Sequence, residues 1–307
     1  MDDQATTLRM LAATATATAT IESDDAEISD DDSVFSPTGA TTARCIAVTG
    51  GKGGVGKSNF SVNVALELGA MGNQVVLLDA DFGLANADLL CGVSPKFHLG
   101  HVITSNKSLD EVTIEIGENV RLIPGGSGIE ELANVSLAKN PSLLTKLREI
   151  EETSDFMIID TAAGIAENVS SVLMAASEII VVTTPEPTAV VDAYATIKVI
   201  VRHSPAKQVS LIVNNVTGVN EAEQVFQQLN TATKRFLQHN IELLGMIPFD
   251  SQVSEAVREQ MPLVNYSPDT PASRAIRLIA RQLHKQLHND SVYSVQSHSF
   301  WHLLSEN

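Results

Sequence analysis

The sequence predicts an α/β protein in which a doubly wound, mostly parallel sheet lies between two helical layers, giving three layers in all. Strand-like and helix-like segments alternate from residue 45 onward. Several strand-like segments are almost continuous runs of Val, Ile and Leu, as expected for parallel strands buried on both faces. A glycine-rich turn joins the first strand to the first helix. This alternation indicates βαβ units.

Each element is predicted from an apolar run or from helical periodicity. The strands are predicted at Cys45–Val48, Val75–Asp79, Arg121–Pro124, Phe156–Asp160, Ile179–Thr183, Val209–Asn214 and Leu243–Ile247. The helices are predicted at Lys57–Met71, Ser142–Glu152, Ala166–Ala176, Val190–His203, Asn220–His239 and Pro271–His288. In the last helix one face carries Ile276, Ile279, Leu283 and Leu287, which indicates packing on the sheet.

Composition and charge exclude several classes of protein. The chain has 307 residues and a formal net charge of −17, which disfavours coating of nucleic acid because such binding needs Lys and Arg. No apolar run reaches roughly 18 residues, so no transmembrane helix is expected. Acidic residues precede any positive charge at the N-terminus, so no secretory signal is predicted and we expect a cytoplasmic protein. Cys45 and Cys91 belong to no CxxC pair, which favours reduced thiols.

Four segments are predicted along the chain. Residues 44–288 form the α/β domain, and residues 1–9 form a short element ahead of it. Residues 10–43 include seven acidic residues and no basic one within Glu22–Asp32, which predicts a disordered acidic linker that acts as a solvated spacer. Residues 289–307 form a C-terminal tail. Its Phe, Trp and Leu residues favour a membrane interface, but it lacks Lys and Arg, so peripheral membrane contact is left open.

The segment Gly51–Ser58 matches the pattern GxxxxGK[ST] at every fixed position. Its glycines allow successive backbone N–H groups to surround a phosphate, and the following helix adds its positive N-terminal end. Lys57 is predicted to bridge the terminal phosphates and the Ser58 hydroxyl to bind Mg²⁺. The predicted nucleotide contacts in this region are Gly51, Lys52, Gly53, Gly54, Val55, Gly56, Lys57, Ser58 and Asn59.

A second lysine, Lys52, lies near the start of this loop. One lysine already serves the bound nucleotide, so the extra cation favours a role in trans, on the phosphates of a facing subunit. A solvated lysine is the alternative interpretation.

Two acidic motifs follow predicted strands. Asp160 ends an apolar strand and is predicted to hold the water shell of Mg²⁺, while the Gly164 N–H could bind the γ-phosphate. Asp79 and Asp81 lie just past another strand, where Asp79 can join the Mg²⁺ network and Asp81 can orient the attacking water. Helix capping or loop solvation is the alternative for each pair.

The runs Lys52–Ser58 and Asp79–Asn86 together resemble the MinD/ParA group of deviant Walker A ATPases, which are P-loop NTPases of the SIMIBI type. The resemblance implies a face-to-face homodimer around two ATP molecules, which hydrolysis separates, and we expect slow turnover. It also implies that Lys52 acts across the interface with Lys57 in the same loop, that Asp81 positions water, and that Asp160 is the Walker B acid.

Within that group the sequence resembles the FlhG/FleN type, regulators of flagellar number and placement. The segments Asp160–Ile165, Pro185–Thr188 and Asp192–Tyr194 carry part of this resemblance. Asp3–Arg9 resembles the DQAxxLR element that stimulates the flagellar GTPase FlhF, a relative of signal-recognition-particle GTPases. The resemblance implies that Gln4 completes the partner's site, and it makes flagellar C-ring or switch proteins further candidate partners. The implied partner-binding residues are Asp3, Gln4, Ala5, Leu8 and Arg9.

Adenine contacts are implied only by the resemblance. Asn214 at a strand end resembles the asparagine that reads adenine, and Pro248 and Asp250 resemble the loop that closes over the base. A Pro-Asp turn is otherwise an ordinary turn signal. The sequence has no NKxD guanine-reading motif, which fits adenine.

Other functions of the same chemistry remain open alternatives. A MinD/ParA-type ATPase could position a division site or a chromosome, but the acidic charge disfavours DNA binding and a MinD function leaves Asp3–Arg9 unexplained. An iron–sulfur carrier of this fold needs cysteines at an interface or in CxxC. A P-loop kinase would transfer phosphate to a small acceptor.

Overall fold

A computed structural model of the chain describes residues 43–81, 83–105, 107–126 and 141–287. The predicted element 1–9, with Asp3, Gln4, Ala5, Leu8 and Arg9, lies outside these residues. The same holds for residues 10–42 of the predicted linker and for the predicted tail 289–307.

A single eight-stranded sheet runs through the described part of the chain. Its strands are β1 (Arg44–Thr49), β2 (Val75–Ala80), β3 (Ile114–Gly117), β4 (Val120–Ile123), β5 (Phe156–Thr161), β6 (Glu178–Thr183), β7 (Gln208–Val216) and β8 (Glu242–Pro248). The spatial order is β3-β4-β2-β5-β1-β6-β7-β8, and only the edge strand β3 is antiparallel to its neighbour. The mostly parallel sheet is therefore confirmed.

Helices cover both faces of this sheet. They are α1 (Lys57–Ala70), α2 (Ala87–Leu90), α3 (Leu99–Thr104), α4 (Leu109–Val112), α5 (Pro141–Glu152), α6 (Glu167–Ala175), α7 (Pro187–His203), α8 (Val219–Leu237), α9 (Ser251–Arg258), α10 (Leu263–Tyr266) and α11 (Pro271–Leu287). Helix α1 packs with α10 and α11, whereas α6, α7 and α8 pack together. Right-handed crossovers place these two groups on opposite faces, which confirms the three-layer, doubly wound fold.

The core forms where the sequence is most continuously apolar. Every residue of β1, β2, β5 and β6 is buried, as expected for central strands covered on both faces. Helix α11 buries Ile276, Ile279 and Leu283, so the predicted packing face is confirmed.

The differences from the sequence prediction lie at the periphery. Strand β3 was not predicted, because its residues alternate between half-buried and exposed positions at the sheet edge. Helix α8 ends at Leu237 rather than His239, since Gln238 adopts a left-handed conformation that terminates it. None of the helices in the described residues has the length and apolar content needed to cross a membrane.

Candidate functional site

The glycine-rich loop lies between the end of β1 and the start of α1, at the carboxyl edge of the sheet. Gly54 and Gly56 have φ angles of 81° and 97°, a region that side chains rarely tolerate. A Cβ at Gly53 or Gly54 would meet nothing within 4 Å, so this side of the loop is open. The loop can therefore present its backbone to a ligand, as the sequence predicts.

The other side of the loop packs tightly on the protein. A Cβ at Gly51 would lie 2.2 Å from the backbone of Asp192 in α7, and one at Gly56 would lie 2.3 Å from Asn214 Nδ2. Asn214 Nδ2 donates to the Val55 carbonyl at 2.8 Å, and its Oδ1 accepts from the Asn215 N–H at 2.8 Å. Asn214 Nδ2 thus ties the loop to β7, while its Oδ1 bonds the backbone of the next residue of the strand.

Lys57 and Asp160 form the buried centre of the site. Asp160 Oδ1 accepts a hydrogen bond from Ser61 Oγ at 3.1 Å, while its buried Oδ2 has no partner. Burial, followed by the charge of Asp79, raises the pKa of Asp160 to about 7, although hydrogen bonding from Ser58 and the charge of Lys57 oppose this. Burial also lowers the pKa of Lys57. A cation, a hydroxyl and a carboxylate oxygen without a partner therefore converge here.

Asp79 organises the segment that follows β2. Its Oδ1 accepts from the Asp81 N–H at 3.1 Å, and its Oδ2 accepts from the N–H groups of Asn86 and Ala87 at 3.0 and 3.1 Å. Burial raises the pKa of Asp79 to about 6, although these hydrogen bonds act to lower it. Asp81 lies at the surface side of this turn and accepts from the Leu84 N–H at 3.0 Å. The capping alternative thus describes part of what these acids do.

Lys52 points away from this buried centre. Its Nζ lies 2.8 Å from Glu186 Oε2 and 3.3 Å from Thr188 Oγ1, and its side chain is 43% exposed. The hydrogen bond with Glu186 raises the pKa of Lys52. The two lysines of the loop therefore have separate environments, one internal and one at the surface.

Gly164 lies beside the start of the loop. It has a φ of 93°, and its N–H donates to the Gly50 carbonyl at 3.1 Å. The predicted contact with a γ-phosphate would require this N–H to leave Gly50.

A cavity of about 360 Å³ adjoins the loop and extends towards β8. It brings together Lys52, Gly53–Gly56 and Asn59 with the three predicted adenine contacts, Asn214, Pro248 and Asp250. Asp250 also caps two helices, because Oδ1 accepts from Gln252 N at 3.0 Å and Oδ2 from Ala272 N at 3.3 Å. The residues Gly51, Lys57, Ser58, Asp79, Asp81, Asp160 and Gly164 lie outside its lining.

Several lining residues were missed by sequence reasoning, among them Phe249 and Glu186. Phe249 is 66% exposed beside Pro248, and Glu186 lines the cavity while holding Lys52. An aromatic residue inside a Pro-x-Asp turn was the available signal for Phe249. Glu186 gave no local signal, because its role arises from a contact between elements distant in the sequence.

Comparison with known proteins identifies the family. The family described as "ParA: NUBPL iron-transfer P-loop NTPase" matches residues 41–284. The chain is 39% identical to the antiactivator FleN of Pseudomonas aeruginosa over 240 residues, covering 78% of this chain and 86% of FleN. The chain belongs to the ParA family of P-loop NTPases. Within it, the chain is a MinD-like ATPase of the FlhG/FleN type.

Two further relatives support this assignment. The flagellum site-determining protein YlxH of Helicobacter pylori is 35% identical, over 80% of this chain and 83% of YlxH. The septum site-determining protein MinD of Pyrococcus horikoshii, solved with Mg-ADP, is 26% identical, with a TM-score of 0.68 over 80% of this chain and 98% of MinD.

The residues of this MinD-like ATPase fit its cofactors, ATP and Mg²⁺. The open glycine side of the loop can hold phosphates, with Lys57 behind it. The buried Asp160 Oδ2 has no partner and lies in a carboxylate that hydrogen-bonds to Ser58 and Ser61, so it suits a cation or its bound water. Ser58, Asp79 and Asp160 would hold Mg²⁺, which supplies positive charge against the phosphates.

This MinD-like ATPase has no CxxC pair that could serve the iron transfer named in the family description. The two cysteines are far apart in sequence and form no CxxC pair. Burial raises the pKa of Cys45 well above its ordinary value and that of Cys91 to about 12. Both groups are therefore thiols in the metal-free protein at neutral pH.

Proposed function

We propose that this protein is an ATP-dependent dimerising switch that regulates flagellar number or placement and stimulates the GTPase FlhF through residues 1–9. The flagellar role is supported by the relatives, one of which is named a flagellum site-determining protein. The switch is supported above all by the contrast between buried Lys57 and exposed Lys52 within one loop. One lysine serves its own nucleotide, and the other lies at the surface in an exposed pair with Glu186, from which it can reach outward.

In this mechanism the chain's own residues divide the work. The loop amides and Lys57 would hold the phosphates, and Ser58 and Asp160 would hold Mg²⁺ with help from Asp79. Asp81 would orient the attacking water molecule. Lys52 exchanges Glu186 and Thr188 for the phosphates of the facing subunit. That exchange is easy because the Lys52–Glu186 pair is exposed and solvent-screened.

Dimer lifetime is the output of the switch, so hydrolysis is slow and separates the subunits. The turn that follows Asp79 and the segment around Gly164 would contact the phosphates and Mg²⁺ in the nucleotide-bound state. The exposed Leu84 and Ile165, at 76% and 48%, lie in these two segments and supply apolar area for the subunit contact.

Light scattering after gel filtration tests the dimer. With a non-hydrolysable ATP analogue and Mg²⁺, the parent protein should double in mass, whereas Lys52→Ala should remain a monomer that still binds nucleotide. Lys96→Ala, which removes an exposed lysine elsewhere, is the matched control and should dimerise normally. A Lys52→Ala protein that dimerises like the parent contradicts the role in trans.

A separate assay tests the partner. Deleting residues 1–9 should abolish stimulation of FlhF GTPase activity while leaving ATP-dependent dimerisation intact. Gln4→Ala should have most of the effect of the deletion. Full stimulation by the truncated chain would refute this part of the proposal without affecting the dimer.

A further inference from the structure

A buried serine on α1 contacts the carboxylate at the centre of the nucleotide site. Ser61 Oγ lies 3.1 Å from Asp160 Oδ1 and 3.0 Å from the Lys57 carbonyl oxygen. Ser61 is 0% exposed and Asp160 is 1% exposed, so solvent competes little with this contact. The hydroxyl group of Ser61 therefore joins α1 to the end of β5 beside the P-loop.

The Ser61 hydroxyl has one proton and two acceptors within reach. The Lys57 carbonyl lies one turn earlier in α1, where a backbone N–H is its ordinary helical partner. An ionised carboxylate is the stronger acceptor, and the bond from Ser61 acts to lower the pKa of Asp160. A bond to the helix carbonyl alone is the alternative, since serines inside helices often make one.

The two oxygens of Asp160 have different surroundings. Oδ1 accepts from Ser61, whereas the buried Oδ2 has no hydrogen-bond partner among the described residues. A carboxyl group turns readily about its last bond, so nothing in its own chemistry distinguishes the two oxygens. The contact with Ser61 therefore determines which oxygen of Asp160 is left for a cation.

A neighbouring hydroxyl, that of Ser58, also bonds to this carboxylate. Ser58 and Ser61 are three positions apart and thus lie on the same face of α1. Ser58 is half-buried and is itself a predicted ligand of Mg²⁺, whereas Ser61 is fully buried one turn further along the helix. Of the two hydroxyl groups, Ser61 is thus the one that can hold Asp160 without also binding the metal.

We propose that Ser61 is a positioning residue for the magnesium site, because it holds Asp160 Oδ1 and leaves Oδ2 for the cation or its bound water. This inference rests on the proposed role of Asp160 as a magnesium ligand. Ser61 touches neither the nucleotide nor the metal and acts through Asp160. Removing a group that orients a metal ligand by a hydrogen bond typically lowers metal affinity by roughly 10–100-fold.

Calorimetric titration with ATP at pH 8, in saturating Mg²⁺ and in EDTA, tests the proposal. The ratio of the two ATP affinities is called the magnesium factor here. Ser61→Ala should lower this factor about tenfold and change ATP binding in EDTA by less than about twofold. An equal loss of ATP affinity with and without Mg²⁺ would mean that Ser61 supports the P-loop as a whole, and would overturn the proposal.

A matched control removes another buried serine on a helix. Ser273 on α11 is 0% exposed, and its Oγ donates to the Ser267 carbonyl at 2.6 Å, far from Asp160 in the sequence. Ser273→Ala should leave the magnesium factor unchanged. A loss of the magnesium factor in Ser273→Ala as large as that in Ser61→Ala would assign the effect to general loosening of the fold and would overturn the proposal.

A second substitution at Ser61 separates hydrogen bonding from packing. Ser61→Cys keeps a side chain of similar shape but offers only a weak S–H donor. The magnesium factor of Ser61→Cys should therefore fall nearly as far as that of Ser61→Ala. A factor equal to that of the parent would show that the side chain acts by filling space, and this result would also overturn the proposal.

Variants of the proposed ligands distinguish a failure of this inference from a failure of the metal site. Asp160→Asn and Ser58→Ala should each lose most of the magnesium factor. If both lose it while Ser61→Ala keeps the factor of the parent, the metal site stands and the role of Ser61 is overturned. If Asp160→Asn keeps the full factor, Asp160 does not hold Mg²⁺, and the inference fails together with that part of the proposed function.

Discussion

The Asp160 carboxylate is 1% exposed and lies near a second carboxylate, Asp79. Its pKa is raised from 3.8 to about 7, mainly by burial. Below the unfolded pKa both the folded and unfolded states are protonated, so pH has no effect there. As pH rises towards the folded pKa, only the unfolded state releases its proton. The nucleotide-free protein should therefore lose stability as pH rises from about 4 to about 7.

The first prediction concerns this pH dependence. Asp160→Asn removes the titrating group, so the decrease in unfolding free energy between pH 5 and pH 8 should shrink by roughly 2–3 kcal/mol. Urea unfolding at several pH values, without nucleotide or Mg²⁺, measures it. Asp269→Asn, at an exposed position, should keep the parent's pH profile. A profile unchanged by Asp160→Asn would mean that folding does not raise the pKa of Asp160.

A second prediction concerns Asn214, which holds the P-loop through the Val55 carbonyl at 2.8 Å. If this contact is its main contribution, Asn214→Ala should weaken ATP and GTP binding alike, by about fivefold for one lost hydrogen bond. Asn220→Ala, at an exposed position on α8 outside the cavity lining, should have little effect. If Asn214 instead reads adenine, the substitution should reduce the preference for ATP over GTP. Calorimetry with both nucleotides distinguishes the two outcomes.

At the scale of elements, a buried ion pair joins β1, β6 and the end of α11. The Arg44 guanidinium binds both Glu178 oxygens, and these side chains are only 4% and 7% exposed. Arg44 also donates to Leu283 and Gln286 of α11. The pair therefore fixes the last helix against the central strands at the edge opposite the P-loop.

This arrangement gives a third prediction. Arg44→Met should destabilise the fold by about 3–5 kcal/mol, because it leaves the Glu178 charge buried without its partner. The double variant Arg44→Met with Glu178→Met should recover much of that loss, since no charge then remains buried. Urea unfolding of the two single variants and the double variant forms a double-mutant cycle. Strictly additive losses would contradict the coupling.

Across the whole chain, the central strands could be predicted from the sequence because burial on both faces requires a continuous run of apolar residues. The long helices could be predicted from their helical periodicity. Strand β3 has no such apolar run, since one face of this edge strand is exposed, and it could not be predicted. The P-loop could also be predicted, because the positive φ angles at Gly54 and Gly56 require glycine at these positions. Contacts between residues that are distant in the sequence could not be predicted. The Glu186 contact with Lys52 and the Asn214 contact with Val55 depend on how separate elements meet.

The last prediction relates the ionisation of the buried carboxyl groups of Asp79 and Asp160 to the stability that Mg-ATP adds to the domain. Mg-ATP binds only the folded state, so at about one hundred times its Kd it should add about 2.7 kcal/mol of stability. Holding Mg²⁺ requires ionised carboxylates, yet the pKa values of Asp79 and Asp160 are raised to about 6 and about 7. The extra stability from Mg²⁺ should thus be small at pH 5.5 and large at pH 8. Thermal unfolding with ATP and Mg²⁺, compared with ATP and EDTA, measures it at both pH values. Ser58→Ala should lose most of the magnesium-dependent gain at pH 8. A magnesium effect equal at both pH values would exclude these two carboxylates from the metal site.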